Sequence, residues 1–77
     1  MREKIIEIIK DVRSDIDAEN ETKMIDDDML DSFDIVAIVG MLNDEFDIAI
    51  NVNDLVPENF NSVDGMLALV SKLQQAF

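Results

Sequence analysis

The sequence predicts an all-α protein, a small bundle of three main helices and one short one. Two observations carry that expectation. Apolar residues recur at helical spacing in three separate stretches. The one alternating run, Ile48-Ala49-Ile50-Asn51-Val52, is too isolated to form a sheet and reads as an extended connection. Length limits the rest: 77 residues make one domain, spanning 1–77, with no internal repeat and no linker.

Ile5, Ile9, Val12 and Ile16 recur at spacings of four, three and four, with Ile8 beside them. They form one apolar stripe on a first helix, expected from roughly Arg2 to Ile16. From Asp17 to Leu30 no helical period survives, and the stretch is long for a loop in a compact domain. Met24, Ile25, Met29 and Leu30 are the residues expected to pin it to the core.

The second helix begins sharply. Asp31 suits the N-cap, and Asp34 three residues later makes a carboxylate variant of the capping box. The helix is expected from Ser32 to about Phe46, with Ile35, Ile38, Val39, Leu42 and Phe46 on one face. Ile35 to Val39 is rich in β-branched residues, but the run does not alternate and a cap precedes it. The opposite face carries Phe33, Val36, Ala37 and Gly40, where a surface helix ordinarily carries charge. Such surplus apolar surface has to meet a later helix, a ligand or a partner.

Pro57 suits the first position of a short helical turn through Phe60. Ser62 then caps a last helix with Val63, Met66, Leu67, Val70 and Leu73 toward the core, and Phe77 is expected to close its end.

Composition excludes several classes of function. With no His and no Cys, the commonest general base and the strongest side-chain nucleophile are both missing, so no catalytic residues are assigned and no enzyme is expected. The same absence removes a disulfide framework and thiolate metal sites, and no metal ligands are assigned. A calcium loop needs Gly at its centre, and Asp26-Asp27-Asp28 runs straight into Met29 and Leu30. Apolar residues make up 48% of the chain, which argues against a disordered acidic tail. No apolar run is long enough to cross a bilayer, and the N-terminus lacks the pattern of a signal peptide, so a cytoplasmic protein is expected.

The formal charge is −12 and unevenly spread. Four of the six basic residues (Arg2, Lys4, Lys10 and Arg13) lie in the first thirteen positions. Between Met24 and Ser71 there are eleven acids and no Lys or Arg. Such a surface repels nucleic acid and anionic membranes and attracts basic protein surfaces. A monomer with protein partners is the expectation.

Leu30-Asp31-Ser32-Phe33-Asp34 resembles the Asp-Ser-Leu-like motif that opens the second helix of acyl carrier proteins, in the phosphopantetheine carrier family, with Phe33 at the common Leu position. Asp44-Glu45-Phe46-Asp47 is similar to the acidic-aromatic end of that helix. Ile48-Ala49-Ile50, Pro57-Glu58-Asn59-Phe60 and Ser62-Val63 resemble the family's later helices, so the likeness spans essentially the whole chain. The resemblance implies a non-enzymatic carrier whose Ser32 bears 4′-phosphopantetheine through a phosphodiester, with Asp31 as motif residue and helix cap. It implies as partners a phosphopantetheinyl transferase (a holo-carrier synthase) and acyl-loading and acyl-processing enzymes with basic docking surfaces. Acyl groups would be held as thioesters on the arm, in fatty acid or related acyl biosynthesis. An apolar contact of Phe33, Val36 and Ala37, rimmed by Asp34 and Asp44, is the expected docking face.

Acyl carriers of fatty acid synthesis commonly place acids along the exposed side of the second helix, where this chain has Ala37 and Gly40. Asp28-Met29-Leu30 also resembles the loop of D-alanyl carriers, which usually have Gly where Asp28 stands. A dedicated D-alanyl, aminoacyl or polyketide-type carrier therefore stays open. So does an acidic helical adaptor without a prosthetic group.

Overall fold

The computed structural model describes residues 1–75, and Phe77 lies outside them. Helix α1 spans Arg2–Val12, α2 Ser32–Phe46, α3 Pro57–Phe60 and α4 Val63–Gln74. No strand occurs among the described residues. Helix α1 packs on both α2 and α4, α3 packs on α4, and α2 touches α4 more lightly. The core is built from Ile5, Ile8 and Ile9 of α1, Ile38 and Leu42 of α2, and Val63, Met66, Leu69 and Val70 of α4. Phe60 of α3 is buried with them. Burying each such side chain contributes roughly 1.5–3 kcal/mol, so three short helices suffice once their faces meet.

Helix α1 stops four residues before the expected Ile16. Arg13 turns to an extended backbone (φ −139°, ψ 94°) while its N–H still donates to the Ile9 carbonyl. Ser14 and Asp15 follow, and such side chains compete with the helix for local hydrogen bonds. Asp15 uses its carboxylate to grip the Arg13 guanidinium, at 2.8 and 3.0 Å. Ile16 is buried all the same. Its spacing from Val12 imitates one more helical turn, but it reaches the core from a loop.

The long connection from Arg13 to Asp31 contains turns and no helix. Met24 and Leu30 are buried and Ile25 and Met29 half-buried, so the four expected anchors do hold it, joined by Ala18. One polar anchor comes from far along the chain. Asn61, between α3 and α4, offers its carbonyl to Met24 N (3.0 Å) and its Oδ1 to Ile25 N (2.9 Å) and Asp26 N (3.0 Å). Backbone donors that no helix can satisfy are thereby paired.

The connection at Ile48–Asn51 is irregular, but Val52 begins a 3₁₀ turn, Val52–Asp54, that alternation did not announce. Asn51 caps it: its Oδ1 accepts from Asn53 N at 2.8 Å, and Asp54 Oδ2 accepts from Asn51 N at 3.1 Å. Pro57 opens α3 and Ser62 caps α4 by accepting from Gly65 N at 3.0 Å. On α4, Leu69 is buried while Leu67 and Leu73 are only partly so.

Candidate functional site

The start of α2 is held by reciprocal bonds. Asp31 Oδ1 accepts from Asp34 N at 2.8 Å, and Asp34 Oδ2 accepts from Asp31 N at 3.2 Å. The Asp31 carbonyl accepts from Ile35 N at 3.0 Å. The amides of Ser32 and Phe33 precede these bonds, at the end of the helix where the dipole is positive. Ser32 is the first residue of α2 and is exposed. Its hydroxyl is spared from capping because Asp31 performs that task.

The other serines differ. Ser62 also stands at a helix start, but its Oγ is taken up by Gly65 N. Ser14 lies in the turn after α1, and Ser71 lies within α4. An exposed hydroxyl at a helix N-terminus suits an anionic phosphodiester, which backbone N–H groups and the dipole favour. The residues present therefore fit a phosphate-linked group.

Arg13 supplies positive charge to this terminus, although no Lys or Arg lies between Met24 and Ser71 in sequence. Its Nη1 donates to the Met29 carbonyl (2.8 Å) and to Asp34 Oδ2 (3.1 Å), while Nε and Nη2 hold Asp15. These bonds to Asp15, then to Asp34, push the guanidinium pKa up, and Arg13 in turn lowers that of Asp15. Asp34 is thus turned inward, its side chain 16% accessible, as part of the cap. Sequence reasoning assigned Arg13 no role; its partner Asp34 is 21 residues away and no local signal links them.

Beside Ser32 the helix is bare and apolar. Phe33 is 84% and Val36 71% accessible, and Ala37 and Gly40 are exposed too. Among the described residues no later helix covers this face. Val36 is one turn beyond Ser32, on the same side. Asp44 is exposed, but it stands eleven residues past Phe33, about 16 Å along the axis at ~1.5 Å per residue. Glu45 faces α1, 3.8 Å from Lys4 Nζ. An apolar crevice of about 100 Å³ lies near the α2 start, lined by Ile25, Ile35, Leu55, Val56, Pro57 and Phe60.

The family model for a phosphopantetheine attachment site matches residues 2–70, reaching into all four helices. The chain belongs to this family. Comparison with curated proteins and with solved structures gave no match. As a phosphopantetheine carrier the protein is not an enzyme: it bears 4′-phosphopantetheine covalently and meets a phosphopantetheinyl transferase and acyl-processing enzymes. The group supplies the thiol that this cysteine-free chain lacks. No described helix is long and apolar enough to cross a membrane.

Proposed function

We propose that Ser32 is the attachment residue and that the protein presents acyl groups to partner enzymes in fatty acid or related acyl biosynthesis. The observation that carries this reading is the exposed Ser32 hydroxyl at the first position of α2, left free by the Asp31 cap. In the attachment reaction the Ser32 oxygen bonds to the phosphorus that bears pantetheine in coenzyme A. The pyrophosphate bond breaks, adenosine 3′,5′-bisphosphate leaves, and the transferase takes the serine proton. Phe33, Val36 and Ala37 form the apolar contact for basic partner enzymes, and Asp44 stands at its far end. Asp34 contributes by holding the helix start in shape for them. The crevice beside Ile35 suits the apolar part of a short acyl group.

A mass spectrum after treatment with coenzyme A and a broad-specificity transferase tests the assignment. The protein gains one phosphopantetheinyl group and Ser32→Ala gains none. Labelling of Ser14, Ser62 or Ser71 in that variant would sink the assignment, as would an unlabelled wild-type chain.

A second reading is a dedicated D-alanyl, aminoacyl or polyketide-type carrier. It is favoured by the acid-poor exposed middle of α2 and by Asp28, whose backbone is left-handed at φ 56°. Glycine adopts that conformation most readily, and D-alanyl carriers place Gly there. Loading assays separate the readings: an aminoacyl-activating ligase charges the pantetheinylated protein in one case, and a fatty-acyl or malonyl transferase in the other.

A further inference from the structure

We infer that Arg13 is a positioning residue for the attachment serine: it locks the chain on both sides of Ser32 and so presents the first turn of α2 in one conformation. The inference rests on Ser32 being the attachment residue. Met29 precedes Ser32 by three positions and Asp34 follows it by two, and one nitrogen, Arg13 Nη1, bonds to both, at 2.8 and 3.1 Å. The other two nitrogens are occupied by Asp15, which fixes the plane of the guanidinium from the side of α1. The fork is therefore held at its base and presents its remaining nitrogen to the α2 start. A lysine has a single ammonium on a flexible stem and cannot satisfy Asp15, Met29 and Asp34 in that planar arrangement.

Charge gives the arrangement a second consequence. Asp31 and Asp34 put two carboxylates at the helix terminus where an anionic phosphodiester would form. Their repulsion opposes the favourable dipole, and the guanidinium beside Asp34 offsets it. Without Arg13, Asp34 loses its inward partner and Met29 loses its carbonyl bond, so the first turn frays while the rest of α2 stays packed through Ile38 and Leu42. A transferase that needs the ordered turn then meets a smaller competent fraction, and its apparent affinity falls by that fraction.

The test compares Arg13→Ala, Arg13→Lys and, as a distant control, Arg2→Ala. The control removes the bond from α1 to Asp64 at the start of α4 and leaves the α2 start alone. Amide hydrogen exchange is read by NMR at Asp31 and Asp34 and, for comparison, from Ile38 to Leu42. Arg13→Ala is expected to speed exchange at Asp31 and Asp34 about tenfold and to leave the Ile38–Leu42 amides within about twofold of wild type. Its kcat/KM for transfer from coenzyme A falls about five- to tenfold, mainly through KM. Arg13→Lys recovers part of both effects. Arg2→Ala shows neither.

Unchanged exchange at Asp31 and Asp34 in Arg13→Ala overturns the inference, as does a transfer loss that Arg2→Ala shares. Should Arg13→Ala fail to fold, Arg13→Lys decides by the same two readings. Exchange is measured without transferase, so an unlabelled wild-type protein refutes Ser32 as the attachment residue while exchange still decides whether Arg13 orders the turn.

Discussion

Asp31 and Asp34 each bond the other's backbone, Oδ1 to N at 2.8 Å in one direction and Oδ2 to N at 3.2 Å in the other. Ser32 lies inside this box without belonging to it. The two kinds of residue at the helix start should therefore separate in stability measurements. Asp31→Ala is expected to cost about 0.5–2 kcal/mol, as N-cap losses do. Against a total on the order of 4–12 kcal/mol for a chain this size, that is a readily measured share. Ser32→Ala should stay within about 0.5 kcal/mol of wild type, as exposed substitutions do. Urea unfolding of both variants checks the pair, and a Ser32→Ala loss as large as that of Asp31→Ala would mean that the serine does the capping.

The two glycines should respond in opposite directions. Gly40 sits inside α2 with nothing within 4 Å of where a Cβ would be. Gly40→Ala is expected to stabilise by roughly 0.5–1 kcal/mol, the usual difference between these residues in a helix. At Gly65 a Cβ would lie 2.6 Å from the Glu58 carbonyl oxygen, a backbone atom that cannot swing away. Gly65→Ala should force α3 off α4 and destabilise by about 1–3 kcal/mol. Thermal melts of the two variants decide this, and equal shifts of the same sign would refute it.

Val36→Arg tests the exposed apolar face. With Val36 71% accessible, the substitution should leave the melting temperature within a few degrees of wild type. It should slow phosphopantetheine transfer at least several-fold by placing a cation against basic partner surfaces. Buried apolar anchors mainly govern how long a complex lasts, whereas rim charges govern its formation. The loss should therefore appear in the dissociation rate as well as the association rate. Transfer at the wild-type rate would show that partners dock elsewhere.

The Arg13–Asp15 pair sets a pH dependence. The Arg13 hydrogen bond, then a backbone bond, hold the Asp15 carboxyl pKa below its ordinary value. A carboxyl with a depressed folded pKa contributes stability that is complete above its unfolded pKa and is lost as pH falls through the folded one. Wild type should therefore melt above Asp15→Asn at neutral pH, and the gap should narrow as pH drops below about 3.9, the ordinary carboxyl value. Asp15 is exposed and Arg13 half-buried, so the gap should be small and should shrink in high salt. A gap that widens toward acid pH would mean that the ionised Asp15 does not stabilise the fold through Arg13.

Some of this molecule is determined within a few residues of chain. The start of α2 follows from Asp31 and Asp34, three apart, and that of α4 from Ser62, because a cap needs only one turn of backbone to act on. The inward faces of Ile5, Ile9, Ile38, Leu42, Met66 and Val70 follow from periodicity, and the position of the Asp31-Ser32-Phe33 motif at a helix start follows from both. What only the tertiary structure decided depends on how separate segments meet. Val12 ends α1 because Arg13 finds partners at Asp15, Met29 and Asp34, and apolar spacing through Ile16 carries no trace of that competition. Asn61 reaches residues 35 and 36 positions earlier to pin the loop, a contact that no local pattern encodes. Phe33 and Val36 are left bare because α1 and α4 both pack against the opposite side of α2. Sequence periodicity defines two faces on a helix, and the packing of its neighbours chooses which face meets solvent.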